Sequence, residues 1–118
     1  MARRRKIFGK WGEDMACKFL ARNGFEVIDR NFYTTFGEID IVARKNGDYY
    51  FVEVKTRRKG GLANNTAITP IKVSRLNKAV SKYCLKHSLG DVSIILAGIM
   101  VVVDKLDKTV NFNFSVIF

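Results

Sequence analysis

Apolar side chains recur along this chain at two different spacings. From Lys10 to Asn23 they follow the 3.6-residue period of a helix, and Gly24 is placed to end that helix. Three shorter runs follow, Phe25–Phe32, 37–44 and 48–56, all rich in Ile, Val, Phe and Tyr as strands are. The first half of the chain therefore predicts one helix followed by three strands.

A second helix is predicted to begin at Thr69-Pro70, where Thr serves as N-cap and Pro as the first helical residue, and to close at Gly90. Residues 91–103 are almost continuously Val and Ile, which is typical of a buried strand, and residues 109–118 form a last strand. The order helix, three strands, helix and then one or two strands predicts an α/β fold with a mixed sheet.

The polar positions of the second and third strands form a pattern around Asn46-Gly47. This pair is typical of a two-residue type I′ hairpin loop. A regular ladder extended from it would place Asp40 opposite Glu53 and Glu38 opposite Lys55, with all four side chains on one side of the ribbon. The other side would then carry four apolar side chains: Ile39, Ile41, Val52 and Val54.

Two directly opposed carboxylates repel each other unless a positive group lies between them. A divalent cation is the simplest such group, and Mg²⁺ or Mn²⁺ takes oxygen ligands. We therefore expect Asp40 and Glu53 to bind a metal ion, with the backbone carbonyl of Val54 and the carboxylate of Glu13 as further ligands. The alternative for Glu13 is a solvated glutamate near a helix N-terminus.

A metal ion at such a site polarises a phosphoryl oxygen and generates hydroxide near neutral pH. Lys55 would then assist the attacking water, and Glu38 would orient Lys55 or bind the ion through water. The alternative is an exposed sheet face on which Glu38 and Lys55 form an ordinary cross-strand ion pair of little energetic weight.

The charge of the chain favours a polyanionic partner. Lys and Arg number 21 against 11 Asp and Glu, which gives a formal net charge of +10 and a pI near 9.9. Nucleic acid and an anionic membrane surface both attract such a protein, and a merely basic soluble protein is the alternative. The candidate phosphate-binding side chains lie after the third strand and along one side of the second helix: Arg57, Arg58, Lys59, Lys72, Arg75, Lys78, Lys82 and Lys86.

The chain has the length of one small domain. We expect residues 1–8 to form a mobile basic arm and residues 9–118 a single domain, with a mobile loop over 57–65. The longest apolar run, 92–103, is shorter than the ~18 residues of a membrane span, and no apolar segment of a signal peptide follows the N-terminal charges. Cys17 and Cys84 lack metal-ligand spacing, so we expect small buried apolar side chains and a cytoplasmic location.

Two sequence strings resemble a known family. Residues 37–41 (GEIDI) and 51–57 (FVEVKTR) resemble the YraN family, which belongs to the restriction-endonuclease-like or PD-(D/E)xK superfamily. The resemblance extends to Gly12-Glu13, to Arg30-Asn31 and to residues 67–72, and it covers most of residues 11–85.

The resemblance implies a restriction-endonuclease-like core of order α-β-β-β-α-β, a mixed sheet with a central antiparallel hairpin flanked by two helices. It also implies that Asp40, Glu53 and Lys55 occupy catalytic positions and Glu13 that of an accessory helical acid. The nearest functional relatives by architecture look like Holliday-junction resolvases, so the expected activity is Mg²⁺- or Mn²⁺-dependent, structure-selective cleavage of DNA. Resolvase-like activity would call for a homodimer, although the sequence shows no obligate interface. Two alternatives stay open: a nucleic-acid-binding module without turnover, and an adaptor for an acidic protein or lipid surface.

Overall fold

Five strands form one mixed sheet with a helix packed on each face. The computed structural model describes residues 2–60 and 69–117. Its elements are α1 (Ala2–Arg22), β1 (Glu26–Thr34), β2 (Gly37–Lys45), β3 (Asp48–Arg58), α2 (Pro70–Lys86), β4 (Ile94–Asp104) and β5 (Thr109–Val116). The strands lie in chain order, and all neighbours are antiparallel except β3 and β4, which the α2 crossover makes parallel. The predicted α/β class and element order are confirmed.

The hairpin between β2 and β3 has the predicted turn and the predicted register near the turn. Asn46 and Gly47 have φ values of 53° and 83°, and a type I′ turn needs positive φ at both positions. The ladder runs from the pair Lys45 and Asp48 to the pair Ile41 and Val52.

Beyond Ile41 and Val52 the two strands diverge, so the predicted pairs of Asp40 with Glu53 and of Glu38 with Lys55 are not formed. The reason is that β3 continues along β4 as far as Arg58, whereas β2 stays with β1 as far as Gly37. Oδ2 of Asp40 accepts the Val54 N–H at 2.7 Å, a donor that a continued ladder would direct at the β2 backbone. An opening lined by polar groups results.

The divergence also changes which face one apolar side chain occupies. Ile41, Val52 and Val54 pack in the core under α1 as a single set, but Ile39 packs under α2, so the prediction of one shared face was wrong for Ile39. Opposite this segment, Asn31 has a φ of 53°, which breaks the regular alternation of β1 and β2.

Each helix covers its own hydrophobic core. Under α1 the buried side chains are Ala16, Leu20, Ile41, Ala43, Val52, Val54, Ala97, Ile99 and Val101. Under α2 they are Ile39, Val42, Phe51, Leu76, Ala79, Val80, Tyr83 and Leu96. Cys17 packs against the first core and Cys84 against the second, so the two thiols lie on opposite faces of the sheet, and both are partly buried where full burial was predicted. Within the described ranges, neither helix has an apolar stretch long enough to cross a membrane.

Helix α1 begins at Ala2, so the described part of the predicted arm, residues 2–8, is helical. Phe8 in this extension makes two ring contacts, one within the helix and one to the end of β3. Phe8 stacks on Trp11 at a centroid distance of 5.9 Å, and the guanidinium of Arg58 lies 4.9 Å from the centre of the Phe8 ring. The first residues of α1 lack an apolar periodicity. The contact of Phe8 with the end of β3 therefore explains why the helix extends over them.

Helix α2 begins as predicted and ends earlier than predicted. Oγ1 of Thr69 accepts the Lys72 N–H at 3.2 Å, which confirms the N-cap. The helix ends at Lys86 because Ser88, with a φ of 53°, lets the Leu89 N–H return to the Cys84 carbonyl at 2.9 Å. Ser88 thus takes the terminating position predicted for Gly90.

Candidate functional site

Three carboxylates converge at the opening between β2 and β3. Glu13 comes from α1, and Glu38 and Asp40 come from β2, with one oxygen of each lying within 4.8 Å of the others. Glu13 and Asp40 are partly buried, and Glu38 is exposed. Glu13 and two residues 25 and 27 positions further along the chain thus supply one acidic cluster, which we call the carboxylate cluster.

Gly12 brings the helix close enough to the sheet for Glu13 to reach this cluster. A Cβ atom placed on Gly12 would overlap the side chain of Thr56 on β3, so only glycine permits the observed approach. The sequence resemblance contains Gly12-Glu13, but the close packing of α1 on β3 is a result of the structure.

Asn31 connects two members of the carboxylate cluster. Its Nδ2 donates to Oε1 of Glu13 at 2.8 Å and to Oε1 of Glu38 at 2.6 Å. A single amide group thereby holds glutamates from a helix and a strand in fixed positions. The sequence assigned no role to Asn31; its only signal there was its place in the resemblance, because its contacts depend on the left-handed backbone at this position.

Arg30 lies on the helix side of the cluster. Its Nη2 donates to Oδ1 of Asp14 at 2.7 Å and lies 3.9 Å from Oε1 of Glu13. Its Nε is buried and has no hydrogen-bond partner among the described residues. Arg30 therefore offsets part of the negative charge of Glu13 from one side and leaves the opposite side of the cluster uncompensated.

The carboxyl group of Asp40 lies where its ionisation is opposed. The pKa of Asp40 is raised to about 7, chiefly by burial and also by Coulombic repulsion from Glu13, Glu38 and Glu53. The hydrogen bond from the Val54 N–H lowers this pKa in part. A carboxyl surrounded by three other carboxylates is a group that a bound cation would stabilise in its charged form.

Glu53 and Lys55 lie beside the carboxylate cluster and not within it. Nζ of Lys55 is 3.3 Å from Oε1 of Glu53, so Lys55 pairs with its own strand neighbour and not with Glu38 as predicted. The divergence of β2 from β3 explains this difference, since it removes the cross-strand partner. Both side chains are partly exposed and accessible to a bound molecule.

A cavity of about 170 Å³ lies between acidic residues of β2 and β3 and the beginning of α2. On the strand side it is lined by Glu38 and Glu53, and on the helix side by Lys72 and Arg75. The structure thus brings two of the predicted basic residues next to the predicted acidic ones.

The remaining basic candidates divide into two groups. Lys78, Lys82 and Lys86 continue along the exposed side of α2. Of the others, Arg57 is exposed at the end of β3, Arg58 covers Phe8, and Nζ of Lys59 pairs with Oδ2 of Asp104 at 3.4 Å. The predicted loop over 57–65 begins as the end of β3, and its residues 61–65 lie outside the described part of the chain.

The profile of the uncharacterised protein family UPF0102 matches residues 12–112, which include every element from the middle of α1 to the middle of β5. The chain belongs to this family. UPF0102 is the YraN family, which the two sequence strings resembled. The resemblance is therefore confirmed.

Three relatives illustrate the extent of the similarity. A UPF0102 protein of Roseiflexus castenholzii is 47% identical over 91 residues, covering 75% of this chain and 73% of its own. One of Streptomyces griseus is 41% identical over 101 residues, covering 82% and 85%. One of Syntrophomonas wolfei is 42% identical over 76 residues, covering 64% of this chain and 66% of its own.

The carboxylate cluster of this UPF0102 protein fits a hard divalent cation in both chemistry and spacing. All its donors are oxygen atoms, which Mg²⁺ prefers at about 2.1 Å, so two ligands on opposite sides of one ion are about 4.2 Å apart. In the carboxylate cluster, one oxygen of each of the three residues lies within 4.8 Å of the other two, which is close to that spacing. Glu13, Glu38 and Asp40 would hold the ion, and Glu53 lies near enough to repel Asp40.

Proposed function

We propose that this protein is a Mg²⁺- or Mn²⁺-dependent phosphodiesterase that cleaves DNA. The observation that carries the proposal is the carboxylate cluster, in which Glu13, Glu38 and Asp40 meet at an opening in the sheet and repel one another. Carboxylates that repel one another destabilise the folded protein. Their presence together therefore favours a functional role for the cluster.

The surroundings of the cluster support a phosphate-containing substrate. Lys72 and Arg75 line the cavity that also contains Glu38 and Glu53, and the chain carries a net charge of +10. Basic side chains next to a metal-binding site attract a polyanion and place one of its phosphates near the ion.

Each side chain then has a defined role in the proposed reaction. Glu13, Glu38 and Asp40 hold the cation, which supplies Lewis-acid polarisation of the scissile phosphate when bound. Glu53, which the sequence predicted as a metal ligand, keeps Lys55 in place through the 3.3 Å ion pair and adds negative charge beside Asp40. Lys55 donates to the attacking water or to the charged oxygens of the transition state. A ligand role for the Val54 carbonyl stays a prediction, since the observed contact of Val54 is through its N–H.

The fold supports the same proposal by analogy. The observed order α-β-β-β-α-β-β contains the α-β-β-β-α-β core that the resemblance implies for the restriction-endonuclease-like superfamily. We extend the proposal to branched DNA as substrate and to a homodimer as the active form, because the resemblance points to resolvases.

Cleavage of DNA by the purified protein tests the proposal. Branched, flapped and linear DNA are incubated with increasing Mg²⁺ or Mn²⁺, and products are separated on denaturing gels. Wild-type protein should cleave, and Asp40→Asn and Lys55→Ala should lose about 10²–10³ in rate. Glu26→Gln is the matched control, because Glu26 is an exposed carboxylate on β1 that pairs with Arg44. Cleavage by Asp40→Asn and Lys55→Ala at the wild-type rate would overturn the assignment.

One observation favours a second function, nucleic-acid binding without turnover. Glu53 lies outside the tightest group of carboxylates and is paired with Lys55. A protein of this kind would bind DNA in a salt-sensitive manner that is indifferent to metal and to Asp40→Asn. Such binding, together with no cleavage under any metal, would decide for this alternative.

A further inference from the structure

An exposed aromatic side chain lies next to the carboxylate cluster on the strand that neighbours β2. Tyr33 of β1 is paired in register with Glu38, and 72% of Tyr33 is exposed. A single exposed aromatic is common on protein surfaces and carries little meaning alone. Its neighbours make this one different.

Tyr33 lines an open cavity of about 600 Å³ together with basic residues of α2. The other lining residues are Phe32, Thr34, Thr35, Lys82 and Lys86. A volume of this size is within the range of small-molecule sites, so a nucleotide base with its phosphate would fit.

The lysines of α2 are placed over the aromatic rings of this region. Nζ of Lys78 lies 5.4 Å from the centre of the Phe36 ring, and Nζ of Lys86 lies 5.4 Å from that of Phe32. Both distances are within the range of cation–π attraction, which holds flexible lysines at defined positions. Two ammonium groups of α2 therefore lie against rings near Tyr33.

This surface is continuous with the carboxylate cluster. Phe36 lines the smaller cavity that contains Glu38 and Glu53, and its ring also receives Lys78. The turn between β1 and β2 is held by Thr34, whose hydroxyl donates to the Gly37 carbonyl at 2.8 Å and accepts the Phe36 N–H at 3.0 Å. Phe36 thus lies on a defined turn at the edge of the site, and Phe32 and Tyr33 lie on the strand that leads into it.

We infer that Tyr33, with Lys82 and Lys86, forms a binding surface for single-stranded nucleic acid, on which an unpaired base stacks on the Tyr33 ring. Aromatic rings interleaved with cations match a strand whose bases are free to stack and whose phosphates carry the charge. A regular duplex offers the phosphates but not the base faces. This inference rests on the proposed function, which makes DNA the partner. It adds that the substrate of the proposed nuclease site has a single-stranded segment beside the cleaved position.

Fluorescence anisotropy tests this inference without catalysis. Labelled single-stranded oligodeoxynucleotide and the corresponding duplex are titrated in EDTA with Asp40→Asn protein, so that cleavage plays no part. Adding Tyr33→Ala should weaken single-strand binding by about 5- to 150-fold, the range for removing one base–aromatic stack, and should change duplex binding little. Adding Tyr33→Phe should retain the affinity, because the ring is kept.

Two controls separate stacking from a general effect on the surface. Leu106→Ala removes an exposed apolar side chain, 95% accessible, in the turn between β4 and β5 and should leave both affinities unchanged. Lys86→Ala should lower the slope of log affinity against log salt by about 0.7 for the single strand. Circular dichroism confirms that each variant is folded.

Equal loss of single-strand and duplex binding in Tyr33→Ala would overturn the inference, and so would no loss at all. A second comparison uses two single-stranded oligonucleotides, one with bases at its centre and one without. The inference is supported if wild-type protein binds the one with bases more tightly and Tyr33→Ala binds both equally. Absence of metal-dependent cleavage would contradict the proposed function and would leave this binding surface in place, so the two failures are distinguishable.

Discussion

At the scale of single residues, Asp40 is held where its charge is disfavoured, and this makes the stability of the metal-free protein depend on pH. Its pKa rises from 3.8 to about 7 on folding, so folding takes up a proton between those values. The contribution of Asp40 to stability is therefore full below about pH 3.8 and is lost as the pH rises through about 7.

Replacing Asp40 with Asn should remove this dependence, since the amide keeps an oxygen for the Val54 N–H and carries no charge. In EDTA, wild-type protein should lose up to about 3 kcal/mol of unfolding free energy between pH 5 and pH 8 relative to Asp40→Asn. Urea denaturation of both proteins at the two pH values measures this. Parallel stability curves would contradict the assigned environment of Asp40.

Asn31 acts at the same scale by positioning Glu13 and Glu38 through one amide group. Asn31→Gly removes that group while tolerating the φ of 53°, so it should weaken Mn²⁺ binding by about 10- to 100-fold, as removal of a ligand-orienting hydrogen bond typically does. Asn46→Gly is the matched control, because Asn46 also has a φ of 53° but lies in the hairpin turn. Metal titrations of the two variants should differ; equal affinities would show that Asn31 does not orient the cluster.

At the scale of elements, the position of α1 on β3 decides whether Glu13 reaches the cluster. Gly12→Ala would push the helix away from Thr56 and should destabilise the protein by about 1–3 kcal/mol through overpacking. Gly9→Ala, in the same helix with open space around the new Cβ, should stabilise it by up to about 1 kcal/mol through helix propensity. Opposite signs in thermal unfolding would support the packing argument, and stabilisation by both changes would contradict it.

Elements whose cause is local could be predicted from the sequence. Asn46-Gly47 determines the hairpin and its register near the turn, because both residues tolerate positive φ. Thr69-Pro70 determines the start of α2, because the hydroxyl caps the first turn and the ring suits it. These signals depend only on neighbours in the chain.

Features that depend on distant contacts could not be predicted. The ladder of β2 and β3 ends because β3 pairs with β4 and because Asp40 accepts the Val54 N–H, and neither contact can be read from the hairpin itself. The same holds for the helical residues 2–8, which depend on Phe8 packing near the end of β3. Of the candidate site, the sequence placed Asp40 with Glu53 and Glu13. The structure instead groups Asp40 with Glu13 and Glu38 and pairs Glu53 with Lys55, a difference that follows from the end of the β2–β3 ladder.

At the scale of the whole molecule, a chain of net charge +10 concentrates carboxylates at one opening and basic side chains beside it. Helix α1 supplies an acid from one face of the sheet, and α2 supplies Lys72 and Arg75 from the other. The divergence of β2 and β3 makes the site accessible between them. Acidic and basic groups brought together in this way suit a metal ion and a phosphate bound side by side.

Calorimetric titration of Mn²⁺ into the DNA-free protein tests the central claim most directly, since it probes the carboxylate cluster before any substrate is chosen. Wild-type protein and the control Glu26→Gln should bind the ion with equal affinity, and Asp40→Asn should bind it at least about tenfold more weakly, because a charged ligand is lost. Equal binding by wild type and Asp40→Asn, or no binding by wild type at millimolar Mn²⁺, would contradict a metal site at this opening.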